Sequence, residues 1–175
     1  MQLIKQTPIG IEKMKRIAAV IVGAAIVSGC ATPKPQVNRP SVDQLILTGE
    51  KIVWLMTEDR PFLDRSYRQA KVSAKTRGEA LPVVTVENLK SDCPSELGIT
   101  DYALTPVREG LKVALRKTDM FVIKDNKWSG TVDYGMSGEL ISSDDGTRFF
   151  LRLRILDYNN DQKEVWNEFQ KVGSE

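Results

Sequence analysis

Residues 149–156 read Phe149-Phe150-Leu151-Arg152-Leu153-Arg154-Ile155-Leu156. Phe149, Leu151, Leu153 and Ile155 alternate with Phe150, Arg152, Arg154 and Leu156. Side chains in a strand point to opposite faces with a period of two, so the first set faces a core and the second a mostly polar surface. The same period runs upstream, where Val132, Tyr134, Met136 and Leu140 alternate with Thr131, Asp133, Ser137 and Glu139. Between the two runs, Ser143-Asp144-Asp145-Gly146 is a hairpin turn by composition. Downstream, Asn159-Asn160-Asp161-Gln162 turns the chain again and residues 164–172, EVWNEFQKV, return it. A three-stranded meander with one apolar face needs a cover. The sequence therefore predicts an α+β fold, a mostly antiparallel or mixed sheet with helices packed on one face.

The covering helices lie earlier in the chain. Ser41 and Gln44 have capping-box spacing, and Asp43 sits in the first turn, where the helix dipole favours an anion. Leu45, Ile46, Gly49, Ile52, Val53 and Met56 then recur at three- and four-residue intervals. Leu47 and Trp54 fall on an adjoining stripe, which is either a widened buried face or an exposed aromatic anchor for a partner. Arg60-Pro61 ends this helix. Leu63, Tyr67, Ala70 and Ala74 predict a short second one carrying Arg65, Arg68, Lys71, Lys75 and Arg77, a solvated face or a face for anionic lipid or polymer. Pro82–Leu89 predicts the first strand and Lys90–Tyr102 a loop. Thr105-Pro106 predicts a cap and first position for a helix whose apolar stripe is Val107, Leu111, Ala114 and Leu115. Met120–Ile123 predicts a second strand, and Asp125–Gly130 a turn.

Residues 1–29 have a different character. Lys15 and Arg16 precede an apolar run, Ile17–Val27, followed by Ser28, Gly29 and Cys30. A basic segment, a short apolar core and small residues at a cut site make a secretory signal. The run is too short to span a bilayer, which takes about 20 residues. Val27-Ser28-Gly29-Cys30 resembles the bacterial lipobox. That resemblance implies diacylglycerol on the Cys30 sulfur, cleavage before it, and acylation of its new amino group. Ala31, in place of an aspartate, implies the outer membrane and its periplasmic face. Met14 is an alternative start. Residues 30–40 form a tether with Pro33, Pro35 and Pro40, and residues 41–175 form a single domain. The eleven steps from Cys30 to Ser41 reach roughly 35 Å at most, at about 3.3 Å each.

Several functions are excluded by composition. Lys5, Lys13, Lys15, Arg16 and Glu12 leave with the signal, four cations and one anion, which takes the formal charge from +2 to −1. No basic excess remains to indicate nucleic acid. The chain has no histidine, which removes histidine-dependent nucleophile arrangements and histidine zinc sites. Cys93 is the one thiol beyond Cys30, and a single thiol makes neither an internal disulfide nor a cysteine-rich metal site. Asp144-Asp145 belongs to a turn, where aspartate suits the backbone. No catalytic residue, cofactor or metal site is expected.

The order of pieces is similar to the LpoB-type activators of penicillin-binding proteins, related in fold to the curli-secretion protein CsgG and the amino-terminal domain of TolB. The pieces that carry the resemblance are the lipobox, the helix after Ser41, VVTVENL (residues 83–89) and VREGLKVALRKTDMFVI (107–123). DYGMSGEL (133–140) and LRLRILDYNNDQKEVW (151–166), with its Val165-Trp166 pair, complete the set. The resemblance implies a lipoprotein that binds a bifunctional penicillin-binding protein and raises its activity in peptidoglycan synthesis through protein contacts. The alternative is an accessory structural subunit of an outer-membrane secretion or surface assembly. Trp54, Arg152 and Arg154 are the candidate partner contacts, and Cys30 the candidate lipidation site.

Overall fold

The computed structural model describes residues 39–124 and 128–173. Cys30 and the signal lie outside the described residues.

Helix α1 spans Val42–Glu58. The Ser41 hydroxyl accepts from the Gln44 amide at 3.1 Å, and the Gln44 side-chain oxygen accepts from the Ser41 amide at 2.9 Å, so the capping box is complete. Leu45, Ile52, Val53 and Met56 bury against the sheet. Gly49 lets Leu111 approach: a Cβ there would lie 2.8 Å from the Leu111 Cδ2. A π-helical turn, Phe62–Tyr67, leads into α2, Arg68–Thr76. Its wider winding places Phe62 and Tyr67 in an aromatic cluster with Phe121 and Tyr134, ring centroids 5.5–6.2 Å apart.

The strands are β1 (Val83–Val86), β2 (Lys90–Asp92), β3 (Val122–Ile123), β4 (Tyr134–Ser142), β5 (Phe149–Asp157) and β6 (Lys163–Lys171), with α3 (Thr105–Lys117) between β2 and β3. The sheet runs β3-β1-β4-β5-β6, with β2 also paired to β4. β1 lies parallel to both β3 and β4, through Val83↔Val122 and Val84↔Tyr134. β4, β5 and β6 form the expected antiparallel meander, with pairs such as Met136↔Ile155 and Ile155↔Trp166. The register puts Tyr134, Met136, Leu140, Leu151, Leu153 and Ile155 on one face, all fully buried with the helices. The fold is α+β, a six-stranded mixed sheet covered by helices on one face.

Several local expectations shift. Lys90–Asp92, expected in a loop, is a strand. β4 has nine residues and β1 only four, so the β4 edge at Glu139–Ile141 is open to Lys90–Asp92. Thr105 is not a cap. It already lies in α3, because a 3-10 turn at Asp101–Leu104 precedes it, with Thr100 as that turn's own cap. The strand expected at Met120–Ile123 shrinks to Val122–Ile123. The Met120 carbonyl instead accepts the Tyr67 hydroxyl at 2.8 Å.

One buried carboxylate ties these layers together. Asp133 has no exposed surface. It accepts from the Arg77 guanidinium at 2.7 and 2.8 Å, the Val83 amide at 2.9 Å and the Asn159 amide group at 3.1 Å. The end of α2, the start of β1 and the turn after β5 are thereby fixed to the start of β4. Burial alone acts against the charge of Arg77, but the hydrogen bonds and charges of Asp133 and Glu79 outweigh it and leave its pKa raised.

Candidate functional site

Beyond the core, the meander presents its second face. Ser137, Glu139 and Ile141 of β4 pair with Arg154, Arg152 and Phe150 of β5, and Arg152 and Arg154 pair with Phe169 and Asn167 of β6. The helices cover the other side, so this surface is bare of helix. Arg154 donates to Glu139 at 2.7 Å, while Arg152 stands 3.7 Å from Glu164. Both arginines are about one-third exposed or less, at 34% and 28%. The Arg154 Nε and the Ser137 hydroxyl oxygen, opposite each other in register, are buried with no hydrogen-bond partner among the described residues. Donor capacity on this face is therefore left over.

Two residues not singled out from the sequence complete the surface. Phe150 and Phe169 stack with centroids 4.8 Å apart and planes 10° from parallel. Phe169 is 47% exposed. Their signal was legible in the alternation itself, since Phe150 has the same parity as Arg152 and Arg154. A large apolar ring on the polar side of a two-period pattern is the anomaly. Aromatic side chains beside arginines are the composition enriched at protein interfaces.

Trp54 is 52% exposed and Leu47 64% exposed, so their stripe on α1 faces water and does not widen the core. It belongs to the helical layer, away from the bare sheet face, and the structure does not bring Trp54 together with Arg152 and Arg154. Cys93 is half-buried and free among the described residues, its sulfur 3.5 Å from the Leu140 carbonyl oxygen. Arg77 of the basic segment is committed to Asp133, and Arg68 pairs with Asp64 at 2.9 Å. Among the described residues no group of three or more aspartate, glutamate, cysteine or histidine side chains could hold a metal ion. None of the described helices is long and apolar enough to cross a membrane.

Tyr158 closes one margin of the bare face. It lies against Gly135, and its hydroxyl donates to Glu87. Burial first, then that bond to Glu87, pushes its pKa up to about 12. At the opposite margin, the Ser143-to-Gly146 turn is held by Asp145, which accepts from the Ser143 hydroxyl at 2.5 Å and the Thr147 amide at 3.0 Å. The Ser143 bond, ahead of the Thr147 amide, brings the Asp145 carboxyl down to about 2. Both acids of Asp144-Asp145 belong to the turn, as their spacing implies.

No family model matches the sequence, and no curated protein matches it. Two solved structures are similar to it. The LpoB C-terminal domain from Escherichia coli is 11% identical, with 53% of this chain and 83% of that one covered and a TM-score of 0.41. The LpoB C-terminal domain from Salmonella enterica is 12% identical, with 62% and 96% covered and a TM-score of 0.40.

Proposed function

We propose that this chain is a lipid-anchored regulator at the periplasmic face of the outer membrane, which activates a bifunctional penicillin-binding protein through protein contacts and performs no chemistry of its own. The anchor is acylated Cys30. The contact is the helix-free sheet face, and the observation that carries it is the exposed Phe169 ring stacked on half-buried Phe150 beside Arg152 and Arg154. A stacked aromatic pair gives area at low entropic cost, and flanking guanidinium groups give orientation and partner choice. The choice of a cell-wall synthase as partner comes from the sequence resemblance of the ordered pieces between the lipobox and Val165-Trp166.

Capture experiments with the purified lipoprotein test this. A bifunctional penicillin-binding protein should be retained, and its synthase rate should rise on addition of the lipoprotein. Phe169→Ala should weaken that capture by roughly 30-fold or more if the ring is an interface anchor. Retention of outer-membrane components alone would remove the activator reading and leave the accessory subunit of a surface assembly.

A further inference from the structure

Arg39, just ahead of α1, is part of a cleft. The cleft, of about 460 Å³, is lined by Arg39, Gln44, Thr147, Arg148, Lys171 and Gly173 among others. It gathers the residue where the tether enters, the first turn of α1, the turn before β5 and the end of β6. Arg39, Arg148 and Lys171 are all exposed. None of the three forms an ion pair among the described residues. Asp145, in the turn before Arg148, accepts from Ser143 and Thr147 and offsets part of the Arg148 charge. Among the described residues Arg39 and Lys171 form no ion pair and Arg148 is only partly offset, so the polar hollow keeps a cationic excess that suits an anion, with the Gln44 side-chain amide as a further donor.

The chain's connectivity selects the anion. Nine Cα-to-Cα steps lead from Cys30 to Arg39, a reach of about 30 Å at full extension. We infer that this cleft seats the phosphate of an anionic phospholipid in the membrane that holds the acyl chains, and so orients the domain on that membrane. The inference rests on acylation of Cys30. The tether end of the domain then faces the headgroups, and the basic segment around α2 does not. α1 separates the two, and its 17 residues span about 25 Å. In that segment Arg68 and Arg77 are moreover paired with Asp64 and Asp133.

The test uses the full lipidated protein reconstituted in phosphatidylcholine vesicles, with or without phosphatidylglycerol. Amide hydrogen exchange is read at residues 146–149 and 171–173. Exchange should slow only in the anionic vesicles, and less so as salt is raised. Arg148→Gln and Lys171→Gln should each reduce the protection about five-fold, the factor expected for one cation near an anionic surface. Lys71→Gln with Lys75→Gln should leave it unchanged. Equal exchange in both vesicles, with the acyl mass confirmed on Cys30, would overturn the cleft while leaving the anchor standing. Absence of the acyl mass would overturn both. Protection in phosphatidylcholine vesicles on adding inorganic phosphate would make the site one for a free anion, and loss of protection through the α2 variants would move docking to that helix. Either result refutes the inference.

Discussion

Asp133 shows what single residues contribute here that no local pattern announces. In the alternating run it reads as one more polar position, yet it is completely buried. Its side-chain partners stand 56, 50 and 26 residues away, at Arg77, Val83 and Asn159. Spacing in sequence carries no trace of contacts at that range, so the node became visible only with the fold. Removing the guanidinium leaves a buried carboxylate without its cation. Arg77→Ala should cost about 3 kcal/mol of folding stability, measured by urea unfolding. Arg68→Ala, whose pair with Asp64 is exposed, should cost less than about 1 kcal/mol in the same assay. Tyr134 supplies a second case. Burial, against a partial offset from the bond to Ser66, raises its hydroxyl well above the usual tyrosine range. A raised folded value means that the neutral phenol stabilises the fold below the unfolded pKa, and that this contribution fades as pH climbs beyond it. The urea midpoint should therefore fall above about pH 10, and Tyr134→Phe should flatten that fall. An unchanged alkaline profile in the variant would mean that other groups dominate it.

Elements divide according to how local their causes are. The β4–β5–β6 meander was legible because its period, turn residues and apolar face all lie within one continuous stretch. α1 was legible because Ser41 and Gln44 announce its start, as the completed capping box bears out. β2 was not, because it is defined by a distant edge: its three residues borrow β4. β3 was legible as a strand but two residues too long, since only Val122 and Ile123 pair with β1. The faces of α1 were only half legible. Spacing separated the Leu47–Trp54 stripe from the core stripe, but it could not say which stripes the sheet has room to cover. Trp54→Ala should leave the thermal midpoint nearly unchanged, since an exposed substitution typically alters stability by less than about 0.5 kcal/mol. A loss of partner capture would then be assigned to that stripe and not to unfolding. The meander itself tolerates less. A Cβ on Gly138 would lie 2.7 Å from both Leu153 and Leu89 and 3.1 Å from the Arg152 carbonyl oxygen. The backbone contact cannot turn aside as a side-chain tip can. Gly138→Ala should cost roughly 1–3 kcal/mol by overpacking, read from the urea midpoint.

At the scale of the molecule, the proposed role divides the surface into three: a tether end for the membrane, a helical layer, and a bare sheet for a partner. Cys30→Ser should abolish incorporation of labelled palmitate and move the protein out of the membrane fraction, while the folded domain keeps its thermal midpoint. Retention in the membrane fraction without label would mean that something other than acyl chains holds it. The parallel placement of β1 has one more consequence, and it concerns time. Among the described residues β1 pairs with Val122–Ile123 and Tyr134–Met136, both later in the chain. Its backbone partners therefore do not exist when β1 leaves the ribosome, and the loop to β4 must close before either strand is stabilised. The sheet cannot assemble in the order of synthesis. With β1 waiting for partners in the last third of the chain, the sheet stays unformed through most of elongation.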